Sequence, residues 1–367
     1  MHRIQFNYVL ADDRGPGRIR NPLIDLLHAV EDNGSISAAA RQLGYSYRHV
    51  WGELKRWEGE LGHALIVWEK GQPARLTEFG TKLLWAERQV QARLQAQIDN
   101  LRADLERAYA VAFDDSTHVL SFYASHDEAL SALREQARAS QLHLDIRFTG
   151  SVDAIRALNE GRCMMAGFHT RLHPSRGSLA YRTYKPMLKP GLHKIIGFAR
   201  RTQGLIVAPG NPLKLTGLKD LTKSRVRFAN RALGTGTRLL LDELLAEQGI
   251  AADSIRGFDS AEPSHTAVAQ AVASGQADAG LGIEAAARAL GLDFVPIVEE
   301  QYHLACLKSA LAESGIQALL KLLGDSDWQR LLAALPGYAP DHCGEVLAMS
   351  RVLPWWRYRT QKHPAAR

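Results

Sequence analysis

Apolar residues recur every three or four positions between residues 22 and 61, the spacing that marks the buried face of a helix. Asn21 followed by Pro22 is a typical helix start, and Gly34 and Gly44 tolerate the left-handed backbone that ends or turns a helix. The pattern predicts three short helices, of which the second and third form a helix-turn-helix. The inward positions of the third helix are Val50, Leu54, Trp57 and Leu61.

Two short apolar runs follow the third helix, at residues 64–68 and 74–76. Because a Gly-containing segment separates them, they predict a β-hairpin that would form a wing beside the helix-turn-helix. Residues 4–10 alternate between apolar and polar positions and predict a further short strand. We therefore expect residues 1–76 to form a winged helix-turn-helix domain.

Residues 77–113 predict one long helix, which Thr77 is placed to cap. Its apolar residues alternate between spacings of three and four, which favours a coiled-coil seam with a second helix over packing on its own chain. We expect this helix to link the domains and to form a homodimer; the same seam is compatible with a higher oligomer. The seam residues are Leu83, Val90, Leu94, Ile98, Leu101, Leu105 and Ala108.

From about residue 116 short apolar strands alternate with helices, a pattern typical of a parallel, doubly wound sheet. The predicted fold class is a multidomain α/β protein. It has an N-terminal winged helix-turn-helix (1–76), a dimerisation and linker helix (77–113), a C-terminal α/β effector domain (114–350) and a basic tail (351–367).

The charge of the chain permits an anionic partner without requiring one. The 367 residues carry a formal charge of +6, yet residues 1–110 contain 15 Lys and Arg against 14 Asp and Glu. Because the first domain is close to neutral, any affinity for DNA must come from a few well-placed groups and from the two copies of the domain that a dimer would bring to the DNA. The basic tail is interpreted as solvated.

The second helix of a helix-turn-helix enters the major groove of DNA by its N-terminal residues. Ser46 is placed to cap that helix, outward-facing residues follow it, and cations on the wing suit contacts to flanking phosphates. An ordinary helical hairpin with solvated basic residues is the alternative. The predicted contacts to double-stranded DNA are Ser46, Tyr47, Arg48, His49, Lys55, Lys70 and Arg75.

Three junctions between a predicted strand and the next helix carry Ser, Thr or Gly. In open α/β sheets ligands bind at such junctions, where helix N-termini offer free N–H groups. Converging hydroxyl, backbone and arginine donors suit a small oxyanion; a glycine-bearing turn with a threonine cap is the alternative. The predicted ligand contacts are Ser125, His126, Gly150, Ser151, Arg231, Gly234, Thr235, Gly236, Thr237 and Arg238.

Other chemistry is disfavoured. The chain has no GxxxxGK[ST] phosphate loop, no GxGxxG at the first strand–helix junction and no GxSxG nucleophile elbow. His169 and His173 have the i,i+4 spacing of metal ligands, but Pro174 follows directly and no carboxylate accompanies them. We expect no catalytic residues, no metal site and no covalent cofactor.

The predicted cellular location follows from the cysteines and the termini. Cys163, Cys306 and Cys343 form no CxxC pair and suggest reduced, buried thiols. Asp12 and Asp13 stand where a signal peptide would need an apolar core, and no apolar run reaches membrane-spanning length. We expect a cytoplasmic protein with no membrane partner.

Two resemblances cover nearly the whole chain. Residues 21–109, above all Ser46-Tyr47-Arg48-His49-Val50-Trp51, resemble the winged-helix domain of ModE-type molybdate-dependent regulators, and LysR-type regulators are similar in plan. Residues 116–350 resemble a two-lobed periplasmic-binding-protein-like clamp, notably over 231–238 and 269–282, rather than the small β-barrel molybdate modules of the ModE family.

These resemblances imply a dimeric transcription regulator that is not an enzyme. Its clamp would sense a small anionic effector, with molybdate or tungstate favoured. The alternatives are an enzyme or a solute-binding protein that acts on a small anion between the two lobes. The enzyme would need an acid–base pair that the sequence does not clearly provide, and the helix-turn-helix opposes the solute-binding protein.

Overall fold

The computed structural model describes residues 21–69, 72–113, 118–172 and 174–356. The predicted strand at 4–10, Lys70, His173 and residues 357–367 of the predicted tail lie outside these ranges. The chain forms two compact units, and the boundary between them falls inside the long helix, between Gln95 and Ala96.

The first unit contains the predicted helix-turn-helix and wing. Serine side chains cap two of its helices: Ser46 Oγ accepts the His49 N–H, as predicted, and Ser35 Oγ accepts the Ala38 N–H. Val50 and Leu54 are completely buried in its core, whereas Trp57 and Leu61 pack at the margin. The elements are α1 (Pro22–Asn33), α2 (Ile36–Leu43), α3 (Tyr47–Leu61), β1 (Ile66–Val67), β2 (Arg75–Leu76) and the start of α4 (Glu78–Phe113).

Helix α4 presents apolar residues to solvent along much of the predicted seam. Val90, Leu101 and Leu105 are 42%, 66% and 41% exposed. The second half of the helix also packs on its own chain: the Asn100 amide bonds both backbone groups of Phe148, and Asp104 pairs with Arg147. Own-chain packing and an exposed seam are therefore not alternatives, because they use different faces of the helix.

The second unit is a two-lobed α/β domain whose elements follow in chain order. They are β3 (His118–Ala124), α5 (Glu128–Arg138), β4 (Leu142–Phe148), α6 (Ser151–Asn159), β5 (Met165–Arg171), α7 (Leu179–Tyr184), β6 (His193–Val207), β7 (Phe228–Arg231), α8 (Gly236–Glu247), β8 (Ala261–Glu262), α9 (His265–Ala273), β9 (Ala279–Ile283), α10 (Glu284–Arg288), β10 (Asp293–Leu307), α11 (Ser314–Gly324), α12 (Ser326–Ala334), β11 (Tyr338–Pro340), β12 (Val346–Leu347) and α13 (Met349–Val352).

One sheet runs through both lobes in the order β4-β3-β5-β10-β6-β9-β7-β8. Strands β3, β4 and β5 are parallel in the first lobe, and β7, β8 and β9 are parallel in the second. The expectation of a wholly parallel sheet is wrong in the centre, where β6 and β10 run antiparallel to each other and to their neighbours. Each is 15 residues long, so both strands pass from one lobe to the other.

A buried ion-pair network lies where β6 and β10 pass between the lobes. Arg201 and Glu300 are directly opposed in the β6–β10 ladder, and Arg201 donates to both Glu300 and Asp127. The Tyr338 hydroxyl donates to the same Asp127 carboxylate at 2.8 Å. Because Arg201, Asp127 and Glu300 are each at most 2% exposed, the network joins a strand common to both lobes to the start of α5 and to β11.

The predicted tail begins later than residue 351. Leu353 is fully buried and Trp355 is 2% exposed, with its indole N–H donating to the Pro174 carbonyl oxygen at 3.0 Å. Apolar burial therefore holds residues 351–356 within the second unit, despite the basic residues around them.

Replacing Arg201 tests the network at the centre of the sheet. We expect Arg201→Ala to lower the free energy of unfolding by about 3–5 kcal/mol, because two carboxylates are left buried without their cation. Arg200→Ala is the matched control: Arg200 is the adjacent, exposed residue on the same strand, and its loss should change stability by at most about 0.5 kcal/mol. Urea denaturation of the two variants measures both values, and equal effects would contradict this role of Arg201.

Candidate functional site

The N-terminal turn of α3 is the most exposed part of the helix-turn-helix. Ser46, Tyr47, Arg48 and His49 are all exposed, and the hydroxyl of Ser46 is used as the helix cap. Within the described residues Arg48 has no hydrogen-bond or ion-pair partner. Its guanidinium is therefore available for a base edge or a phosphate.

Other cations on α3 are held by their own helix. Lys55 Nζ lies 2.6 Å from the Glu58 carboxylate and 4.8 Å from the centre of the Trp51 ring, while Arg56 pairs with Glu53 and Glu60. Arg75 is exposed on β2, opposite Val67. Among the predicted DNA contacts, Arg48 and Arg75 are thus the cations that have no ion-pair partner within the described residues.

A set of aromatic residues runs from the first turn of α3 to the wing, a feature that the sequence analysis did not single out. Tyr47 stacks on Trp51 with ring centres 6.4 Å apart, and Trp51 meets Trp68 of the wing edge to face at 6.1 Å. Tyr47 and Trp68 are 44% and 51% exposed. The i,i+4 spacing of Tyr47 and Trp51 was the available signal, since such residues are neighbours on a helix surface.

In the second unit, the first lobe brings together two predicted serines and one unpredicted histidine. Ser125 follows β3 and Ser151 begins α6, and their hydroxyl oxygens are 3.2 Å apart. Ser151 Oγ also lies 3.4 Å from Nδ1 of His169 on β5. All three side chains are buried, so they form a compact polar surface at the ends of the strands.

The second lobe closes directly onto this surface. A Cβ on Gly150 would lie 2.7 Å from the Gly234 carbonyl oxygen, and one on Gly236 would lie 3.1 Å from His169 Nδ1 and 3.3 Å from Ser151 Oγ. Glycine is therefore required for this approach. The N-termini of α6 and α8 meet across the cleft, and both offer backbone N–H groups of the kind that bind anions.

Three of the predicted ligand contacts already have partners elsewhere in the chain. Thr235 Oγ1 donates to the Ala232 carbonyl oxygen and accepts the Arg238 N–H as the cap of α8. The Arg238 guanidinium bonds Asp242 at 3.0 Å and lies over the Phe258 ring. His126 lies against Phe148, with Nε2 3.6 Å from Asp99 Oδ2. These side chains serve local structure, whereas Thr237 accepts a hydrogen bond from Gln203 and stays within the cleft.

Several buried polar atoms around the cleft have no hydrogen-bond partner within the described chain. Burial holds the pKa of the His169 and His265 imidazoles well below its usual range. The charge of Arg201 lowers the pKa of His169 further, and the charge of Arg231 lowers that of His265. Burial also lowers the pKa of Arg231 to about 9. The unpartnered atoms include Nε2 of His169, Nε of Arg231, Nδ1 of His265, Oε1 of Gln203 and the hydroxyl of Tyr302.

The described ranges contain neither a metal centre nor a membrane-spanning helix. Those residues contain no cluster of three or more His, Cys, Asp or Glu side chains arranged to hold a metal ion. None of their helices is both long and apolar enough to span a bilayer. Cys163, Cys306 and Cys343 are buried free thiols, and burial raises the pKa of each to about 11.

Comparison with known proteins agrees with this two-part organisation. Residues 132–324, more than half of the chain, match the PBP superfamily domain, and residues 23–81 match the bacterial regulatory helix-turn-helix proteins of the lysR family. A helix-turn-helix followed by a two-lobed clamp is the architecture of a LysR-type regulator. The chain belongs to the PBP superfamily.

Two relatives and one solved structure illustrate the similarity. The Bacillus subtilis protein YvgK, itself uncharacterised, is 32% identical over 201 residues, covering 55% of this chain and 64% of YvgK. An uncharacterised Clostridium pasteurianum protein encoded in the 5′ region of a 2Fe-2S ferredoxin gene is 31% identical over 110 residues, covering 30% and 97%. A full-length BenM mutant superposes with a TM-score of 0.42 at 16% identity, over 85% of this chain and 95% of that one.

Proposed function

We propose that this chain is a cytoplasmic transcription regulator that binds operator DNA as a homodimer and senses a small anion in its inter-lobe cleft. The observation that carries the DNA-binding part is Arg48, an exposed cation on the capped first turn of α3 that has no ion-pair partner in the described ranges. In a helix-turn-helix this turn is the part that enters the major groove. The match of residues 23–81 to lysR-family regulatory proteins supports the same role.

The proposed effector is an oxyanion, with molybdate or tungstate favoured. Donors converge from both lobes: the Ser125 and Ser151 hydroxyls and the α6 N-terminus from the first, and the N-terminus of α8 from the second. Such a set of donors suits a small anion with several acceptor oxygens. The choice of molybdate rests on the ModE-like sequence at residues 46–51, because the cleft geometry alone does not distinguish among tetrahedral oxyanions.

Binding is coupled to DNA recognition through closure of the clamp. An effector that contacts both lobes favours the closed arrangement and shifts its population by its differential affinity for the two states. A homodimer formed along α4 would transmit that shift to a pair of reading helices. Asp127 and Glu300 are both held by Arg201, so neither of these two carboxylates is free to act as a general base.

Removing the exposed cation of α3 tests the DNA-binding proposal. We expect Arg48→Ala to weaken binding to the DNA upstream of the chain's own coding sequence by about 10- to 100-fold, because one charged contact is lost. Fluorescence anisotropy over a range of salt concentrations measures the affinity. Arg56→Ala is the matched control, because Arg56 already pairs with Glu53 and Glu60 on the same helix. Equal affinities for the wild type and Arg48→Ala would remove Arg48 from the interface.

The homodimer is tested at the exposed seam of α4. We expect Leu101→Lys combined with Leu105→Lys to give a monomer, because two like charges would enter a desolvated interface. Analytical ultracentrifugation of the full chain measures the molecular mass. Gln97→Lys places the same charge on an exposed polar position of the helix and should leave the dimer intact. A dimer that survives the double substitution would place the interface elsewhere.

Anion sensing is tested by thermal stability. A ligand that binds only the folded state stabilises it by about 2.7 kcal/mol at 100 times its Kd, so we expect molybdate to raise the melting temperature by roughly 5–10 °C. Ser151→Ala should lose most of that shift, whereas Ser140→Ala, an exposed serine of the same lobe, should keep it. Tungstate, sulfate and phosphate complete the panel. A wild-type protein that responds to none of them would refute the anion proposal.

A further inference from the structure

His169 occupies the point at which the two lobes meet. The centre of its ring lies 3.9 Å from that of Tyr302, and Gly236 approaches it so closely that a Cβ there would lie 3.1 Å from Nδ1. Nδ1 faces Ser151, while Nε2 is buried without a partner in the described chain. A histidine only 3% exposed, with one nitrogen unsatisfied, is costly unless another group completes its hydrogen bonding.

The second lobe provides two further basic side chains with the same property. Arg231, at the end of β7, is 1% exposed and donates to the Glu262 carbonyl oxygen at 3.2 Å. Among the residues that the structure describes, it forms no ion pair and its Nε has no hydrogen-bond partner. His265, the first residue of α9, is 1% exposed, and its Nδ1 likewise has no partner in the described ranges. We call His169, Arg231 and His265 the basic cluster.

Strand order places the basic cluster at one end of the cleft. Arg231 ends β7 directly opposite Glu262 of β8, and His265 follows Glu262 closely as the first residue of α9. Gly236, which begins α8 just after β7, comes so close to His169 that a Cβ on it would lie 3.1 Å from Nδ1. The neighbouring carboxylates are Glu128, whose pKa is raised by burial, and Glu262, which lies opposite Arg231 in the β7–β8 ladder. Arg201 is paired with Asp127 and Glu300, whereas Arg231 has no ion-pair partner within the described residues.

We propose that the basic cluster binds the charge of the effector, with His169 donating from the first lobe and Arg231 and His265 donating from the second. The ligand class is a small dianionic oxyanion, since it must supply acceptors to three separate donors and offset a buried guanidinium. This proposal rests on the proposed anion-sensing function. It adds His169 and His265 to the site and makes the effector itself the bridge between the lobes.

Calorimetric titration of the full chain with molybdate, and separately with sulfate, tests the cluster. His169→Phe keeps an aromatic ring beside Tyr302 but removes both nitrogens, and we expect affinity to fall by about 10-fold or more. Arg231→Gln keeps a polar side chain without the charge and should weaken binding by about 100-fold. His303→Phe is the control: it is the same substitution at a buried histidine on β10 whose Nε2 already bonds Thr170 at 3.1 Å, and affinity should stay within about threefold.

The outcomes separate this proposal from the one it rests on. If the wild type binds neither anion, the anion-sensing function itself fails. If the wild type binds and either His169→Phe or Arg231→Gln binds equally well, the basic cluster is refuted while anion sensing stands. If His169→Phe does not fold, as judged by its melting curve, Arg231→Gln and the milder His265→Asn decide the result, and unchanged affinity in both would overturn the proposal.

Discussion

The buried ion pair between Arg201 and Glu300 fixes the centre of the second unit. Both residues lie on strands that run through both lobes, and Asp127 and Tyr338 complete the network from α5 and β11. A guanidinium this deeply buried is stable only when its charge and its donors are satisfied, so four separate elements must converge at this point. The lobes therefore share one fixed centre, and closure has to occur around it.

The network around Arg201 also explains why some polar side chains of the cleft serve the fold while others stay available to a ligand. Arg201 takes up two of the carboxylates near the ligand region, and Gln203 connects Glu300 to Thr237 at the start of α8. Arg231 of the second lobe is equally buried but has no carboxylate partner within the part of the chain that the structure describes. The two arginines are thus similarly buried but differ in role. Arg201 stabilises the fold through its ion pairs, and Arg231 leaves a positive charge available to a ligand.

The sequence was informative where structure is determined locally. The Ser35 and Ser46 caps and the glycine after each helix follow from short-range chemistry, and they define the helix-turn-helix. Strand β6 was missed because Arg200-Arg201-Thr202-Gln203 interrupts its apolar run and resembles a solvated loop. Burial of Arg201 depends on two carboxylates that are distant in the sequence, Glu300 and Asp127. His169 and His265 were missed as ligand candidates for the same reason, since their surroundings are assembled from distant segments.

The close approach of Gly150 to the backbone at Gly234 has a geometric consequence. Because Gly150 has no side chain, main-chain atoms of the two lobes come together there, and the backbone itself sets the smallest gap. Any occupant then determines the separation of the lobes by its own radius. Two anions of equal charge but different size would therefore hold α6 and α8 at different distances. The angle between the lobes would then change with the size of the bound ion.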